Sequence, residues 1–237
     1  MKLSSLIKYQ CWTTIKPLLI FYTILYGIIG LSYLVVYLSF GSFDKVWFNG
    51  LEMSCLIYLG VTGSLGFNED FKMAIQNGYT RKQIFMATFA MFIFVVTVMS
   101  IVDTVITHSI PSYSSLFNLM YGSNHSIIIQ WIMLALIYFL SAIGAYLCAL
   151  LANKIGKKTF YFIIIALGLS VFVILPLVIN LYVPANIMMK IGEVITWMIG
   201  YAANGSIHFF NPLISITLMI AIMSGFAFIT IKKTELR

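Results

Sequence analysis

Between residues 84 and 106 the chain reads IFMATFAMFIFVVTVMSIVDTVI, with one charged side chain in the whole stretch. A helix needs about 20 apolar residues to cross the hydrocarbon of a bilayer. Five other blocks read the same way, so the sequence predicts spans at about 17–40, 47–67, 84–106, 127–152, 159–183 and 213–231. Strands of a membrane barrel would be about 10 residues long and alternate in polarity, which these blocks do not. Composition agrees: 61% of the residues are hydrophobic and 9% charged, against about 25% charged in soluble domains. The expected fold class is all-α: a polytopic membrane protein with six transmembrane helices, forming a single transmembrane domain over residues 1–237.

The charges predict the orientation. With both termini cytoplasmic, twelve of the 14 Lys and Arg residues fall on inner segments: Lys2, Lys8, Lys16, Lys72, Arg81, Lys82, Lys154, Lys157, Lys158, Lys232, Lys233 and Arg237. Only Lys45 and Lys190 fall outside. Positive charge collects on the cytoplasmic side of membrane proteins, so the net charge of +7 has a topological cause and nucleic acid is not an expected partner. The first block is too long for a signal-peptide core and no small-residue cleavage site follows it, so it is expected to remain as the first span. Cys11, Cys55 and Cys148 form no C-x-x-C pair and point to neither a disulfide framework nor zinc. No catalytic, cofactor-binding or metal site is expected.

Residues 1–16 read as an interfacial helix. Leu3, Leu6, Ile7, Cys11 and Ile15 share one half of the helical wheel and Lys2, Lys8 and Lys16 the other, with Gln10 and Thr14 interrupting the apolar side. A basic amphipathic helix beside a span lies in the membrane interface; a basic tail that only sets topology is the alternative. Pro17 is expected to end it. On the outer side, residues 107–126 form a polar loop with His108 and His125, and residues 186–203 form one or two short helices. A seventh span there would put Lys232, Lys233 and Arg237 outside, against the charge rule.

The inner segment FNEDFKMAIQNGYTRKQIF, residues 67–85, is unusually polar. Asn68 has the chemistry of an N-cap, and Glu69 and Asp70 suit the positive end of a helix dipole. Phe71, Ala74 and Ile75 share a face. Asn77-Gly78 is a helix stop, and Thr80 suits the cap of the next helix. The sequence thus predicts a short capped helix at about 69–77. It is too short to be stable alone, so its apolar face needs the bundle, the lipid surface or a groove on another protein.

A short inner helix followed by Gly78-Tyr79-Thr80-Arg81-Lys82 and an apolar span resembles the first cytoplasmic loop of ABC-2 type permeases, the membrane subunits of one class of ATP-binding-cassette exporters. The motif covers about 20 residues; the basic N-terminal helix, six spans, inner termini and short helices before the last span extend the likeness to nearly the whole chain as architecture. The resemblance implies that residues 69–77 form a coupling helix docking on a separate ATP-binding-cassette ATPase subunit. Phe71, Ala74 and Ile75 would be docking contacts and Gly78 the turn. Arg81 and Lys82 would face acids on the partner or lipid headgroups, or only set topology. It also implies a second permease subunit, identical or related, in a bacterial cytoplasmic membrane, with small hydrophobic or amphipathic cargo such as peptides or antibiotics. ATP and Mg would sit on the partner. This chain has no P-loop: Gly156-Lys157-Lys158-Thr159 carries lysine where Ser or Thr is required and Leu151 where the first glycine belongs. The rival readings are a secondary transporter, a channel or an immunity-type membrane protein without ATP coupling; no internal repeat favours the first of these.

Glu52 and Asp103 fall inside spans near their outer ends. An intramembrane acid suggests a translocation path, here an outer vestibule, although both are close enough to the interface to be hydrated at low cost. Pro176 predicts a kink in the fifth span, and Asn180 interrupts the same span. Gly60, Gly63, Ser64, Ser141, Ala145 and Ala149 are small residues that permit close helix packing. Ser206 and His208 lie in an outer loop without the setting of a hydrolase nucleophile.

Overall fold

The computed structural model describes residues 2–41, 48–49, 51–109, 113–122, 126–170, 184–202 and 206–232. These are almost entirely helical: α1 (Lys2–Phe40), α2 (Leu51–Gln76), α3 (Arg81–Ser109), α4 (Leu116–Tyr121), α5 (Ile127–Ile155), α6 (Lys157–Leu169), α7 (Ala185–Ile199) and α8 (Phe210–Lys232). Among the described residues four helical stretches are long and apolar enough to cross a membrane: Leu3–Ser39, Arg81–Ser109, Ile127–Ile155 and Phe210–Lys232. The segment after α6, with Pro176 and Asn180, lies outside the described residues, as do Lys45, His125, Lys233 and Arg237. The chain divides into two compact units, Met1–Tyr146 and Leu147–Arg237.

Two expected helix boundaries are absent. Pro17 does not end the first helix, which runs unbroken through it. Proline deprives one carbonyl of its donor, but in membrane helices neighbouring helices and hydroxyl side chains compensate. The carbonyl that loses its helical donor is that of Thr13; the hydroxyls of Thr13 and Thr14 bond one turn earlier, to the carbonyls of Tyr9 and Gln10 at 2.9 and 2.7 Å. The separate helix expected at 69–77 is also absent as such, because α2 continues through Asn68 as far as Gln76. A residue already inside a helix cannot serve as its cap; the acids there did not start a new helix because an existing one was propagating.

In the first unit α1 packs chiefly on α3. Its buried stripe is Leu6, Gln10, Leu18, Tyr22 and Ile29, a row spaced mostly by multiples of four that forms one helix ridge. Gln10, read from sequence as a flaw in an apolar face, is one of the most buried residues of α1. The opposite side, with Ile20, Ile24, Ile28, Leu31 and Leu38, is exposed, as expected of a surface meant for lipid. α2 and α5 meet through small residues. Ser141 on α5 donates to the carbonyl of Leu56 at 3.2 Å. A Cβ on Gly63 would lie 2.5 Å from the carbonyl oxygen of Ala142 and 3.2 Å from Cβ of Ala145. The segments before α2 and after α3 are tied by a two-residue parallel pairing, β1 (Phe48–Asn49) with β2 (Tyr113–Ser114), in register Phe48 to Tyr113 and Asn49 to Ser114.

In the second unit α7 packs on α8. Among the described residues the segment expected to hold one or two short helices contains one, Ala185–Ile199, which ends at Gly200 in the left-handed conformation, φ 103°. The chain then closes a small antiparallel bridge between Tyr201 and Ile207.

The two glycines of α2 give a matched test. Gly63→Ala must push the α2 and α5 backbones apart and is expected to cost about 1–3 kcal/mol. Gly60→Ala meets nothing within 4 Å and is expected to be neutral or stabilising by up to about 1 kcal/mol. Thermal unfolding of the two variants in the same detergent measures the difference.

Candidate functional site

Neither intramembrane acid faces an open vestibule in this structure. Glu52, in the first turn of α2, is fully buried. Its Oε1 accepts the backbone N–H of Leu116 at 3.3 Å, at the start of α4. Ser115 caps that helix by accepting the N–H of Asn118 at 3.0 Å, and Nε2 of Gln130 on α5 reaches the same hydroxyl at 3.4 Å. Glu52 thus joins α2 to the segment around α4, and Ser115 joins that segment to α5.

Asp103, on α3, is 5% exposed. The Tyr138 hydroxyl on α5 donates to its Oδ2 at 2.5 Å. The Tyr22 hydroxyl on α1 reaches its Oδ1 and the carbonyl of Met99, each at 3.4 Å. Three helices of the first unit, α1, α3 and α5, therefore meet at one polar point. Cys55 on α2 is fully buried. Cys55 follows Glu52 by three residues, so both lie on one face of α2. The sequence reading missed Tyr22, Tyr138, Cys55, Ser115 and Gln130. A signal existed for the tyrosines, since a phenol buried in an apolar helix needs a hydrogen-bond partner.

The turn between α2 and α3 is built by two interlocking motifs. Gly78, at φ 75°, occupies the left-handed position that a side chain disfavours. Its N–H reaches the carbonyl of Ile75 at 2.9 Å, and the N–H of Tyr79 that of Ala74 at 3.0 Å, the paired bonds of a Schellman ending. Thr80 and Gln83 then form a reciprocal capping box on α3. The N–H of Gln83 donates to Oγ1 of Thr80 at 3.3 Å, and the N–H of Thr80 to Oε1 of Gln83 at 2.9 Å. The Tyr79 hydroxyl lies 3.4 Å from the Ser5 hydroxyl on α1.

The residues expected to dock a partner divide here. Phe71 and Ala74 are buried, 3% and 0% exposed, so these two pack within the chain itself. Ile75 and Arg81 are half-buried, and Gly78 and Lys82 are exposed, together with Lys72, Gln76, Asn77 and Thr80. The outward surface of the turn is polar and basic, and its apolar face is already occupied.

Among the described residues no three His, Cys, Asp or Glu side chains come together as metal ligands. The Ser206 hydroxyl lies 3.1 Å from Nε2 of His208, a contact between near neighbours at the protein surface. Comparisons with known protein families, with curated proteins and with solved structures find no match to this chain.

Glu52→Ala leaves the Leu116 N–H without its acceptor. The expected cost is about 1–3 kcal/mol, with faster protease cleavage in the outer segment around α4 than in the wild type. Equal cleavage rates would show that Glu52 does not hold that segment.

Proposed function

We propose that this chain is the permease subunit of an ATP-binding-cassette exporter of the ABC-2 type. It would cross the cytoplasmic membrane six times with both termini inside; α2 and the segment begun by α6 supply the two crossings beyond the four apolar helices. The observation that carries the reading is the α2–α3 turn. It is a tightly built polar tip joining two long helices, and its outward face carries Lys72, Gln76, Asn77, Gly78 and Lys82. A rigid tip on two packed helices passes a push into the bundle, where a flexible loop would absorb it. A separate ATPase closing on ATP would deliver that push, and the bundle would change between two packed arrangements.

Burial of Phe71 and Ala74 moves the docking surface from the apolar face of α2 to this exposed polar edge, with Ile75 and Arg81 at its margin. A partner fitting this edge carries acidic and hydrogen-bonding groups. A second permease subunit and small hydrophobic or amphipathic cargo complete the proposal.

The test is co-purification of the full chain with an ATP-binding-cassette ATPase encoded next to it. The wild type is expected to retain the ATPase. Lys72→Glu combined with Lys82→Glu is expected to lower retention about tenfold, which corresponds to about 1.4 kcal/mol across a charged rim. No retention by the wild type, or equal retention by the charge-reversed variant, would move the balance to a transporter or channel that works without ATP.

A further inference from the structure

The seat of α1 poses a problem that its apolar residues do not solve. Its buried stripe and its lipid-facing side are made of the same residue types: Leu6, Leu18 and Ile29 against Ile20, Ile24 and Ile28. Lipid tails are as apolar as leucine, so helix association in a membrane gains nothing from hiding one such face and not the other. Rotating α1 by one residue would present an equally apolar surface to α3. Two residues mark the buried side chemically, Gln10 and Tyr22. Tyr22 is the one whose hydroxyl reaches across to α3, and its ring is stacked on Tyr26 with centroids 5.5 Å apart.

We propose that Asp103 is the positioning residue for α1. By binding Tyr22 of α1 and Tyr138 of α5 to one carboxyl on α3, it sets the rotation of α1, and α1 also covers α2 near Cys55, where Phe21 stacks on Tyr58, one helical turn from Cys55, with centroids 4.5 Å apart. What the position requires is hydrogen-bonding capacity. An asparagine side chain supplies it, with its carbonyl accepting from Tyr138 and its amide donating to the Tyr22 oxygen. An aliphatic side chain does not. This role is independent of whether an ATPase docks on the inner turn, and it differs from a carboxylate lining a cargo path, where the charge itself would be needed.

The readout is Cys55, fully buried in the wild type. In full-length protein in native membranes, with Cys11→Ser and Cys148→Ser to leave one thiol, the rate of Cys55 alkylation by N-ethylmaleimide reports whether α1 is seated. Asp103→Asn is expected to stay as protected as the wild type. Asp103→Leu is expected to react at least about tenfold faster, as loss of two buried hydrogen bonds implies. Tyr22→Phe combined with Tyr138→Phe should open Cys55 to a similar degree, and it decides the matter on its own if Asp103→Leu does not accumulate in the membrane. Asparagine reacting as fast as leucine would overturn the proposal, because the charge would then be the essential feature. Protection retained in Asp103→Leu or in the double phenylalanine variant would also overturn it.

Discussion

A helix in hydrocarbon finds no water for its polar atoms and no hydrophobic gain in touching another helix. Both restrictions show in where the side chains lie. Large apolar residues such as Leu19, Leu31, Leu38, Ile57 and Leu65 are on the surface, while Gln10, Glu52, Ser100, Asp103, Ser115 and Gln130 are buried. Many hydroxyls within the helices are satisfied locally: Thr23, Thr62, Thr97 and Thr104 each donate to the carbonyl four residues back. Other polar groups reach across, among them those of Tyr22, Glu52, Gln130, Tyr138 and Ser141, and join one element to another.

Such bonds are individually modest. Interhelical hydrogen bonds in membranes average about 0.6 kcal/mol, with a maximum near 1.7. Their role is to select one arrangement from several of similar packing energy, which small residues then allow to close tightly, as Gly63 does against Ala142. α1 illustrates both effects. It touches the α2–α3 turn through Ser5 and Tyr79 and the bundle interior through Tyr22 and Asp103. A helix held at those two places can link a displacement of that turn to the packing of the interior.

Local rules read well from the sequence where they concern a few adjacent residues. Asn77-Gly78 ends a helix as expected, and Thr80 caps the next one. They fail where a larger context decides. Asn68 has cap chemistry, but α2 is already formed when the chain reaches it. Pro17 is a breaker in water, and here the helix continues past it. Gln10 looks like a flaw on a wheel drawn for a surface helix, yet it marks the buried side of a membrane one. The neighbours of Asp103 could not be read at all. Tyr22 and Tyr138 lie 81 and 35 residues away along the chain, and no local pattern brings them together.

The central claim is that the α2–α3 turn faces the cytoplasm while α4 faces outward, with membrane between them. Two added-cysteine variants test it directly, Asn77→Cys on the exposed turn and Leu119→Cys on the exposed side of α4, in a background with Cys11 and Cys148 replaced by serine and the remaining Cys55 fully buried. A maleimide that cannot cross membranes is applied to intact cells and then to opened ones. The account predicts labelling of position 119 in intact cells and of position 77 only after opening. Labelling of position 77 in intact cells would contradict it.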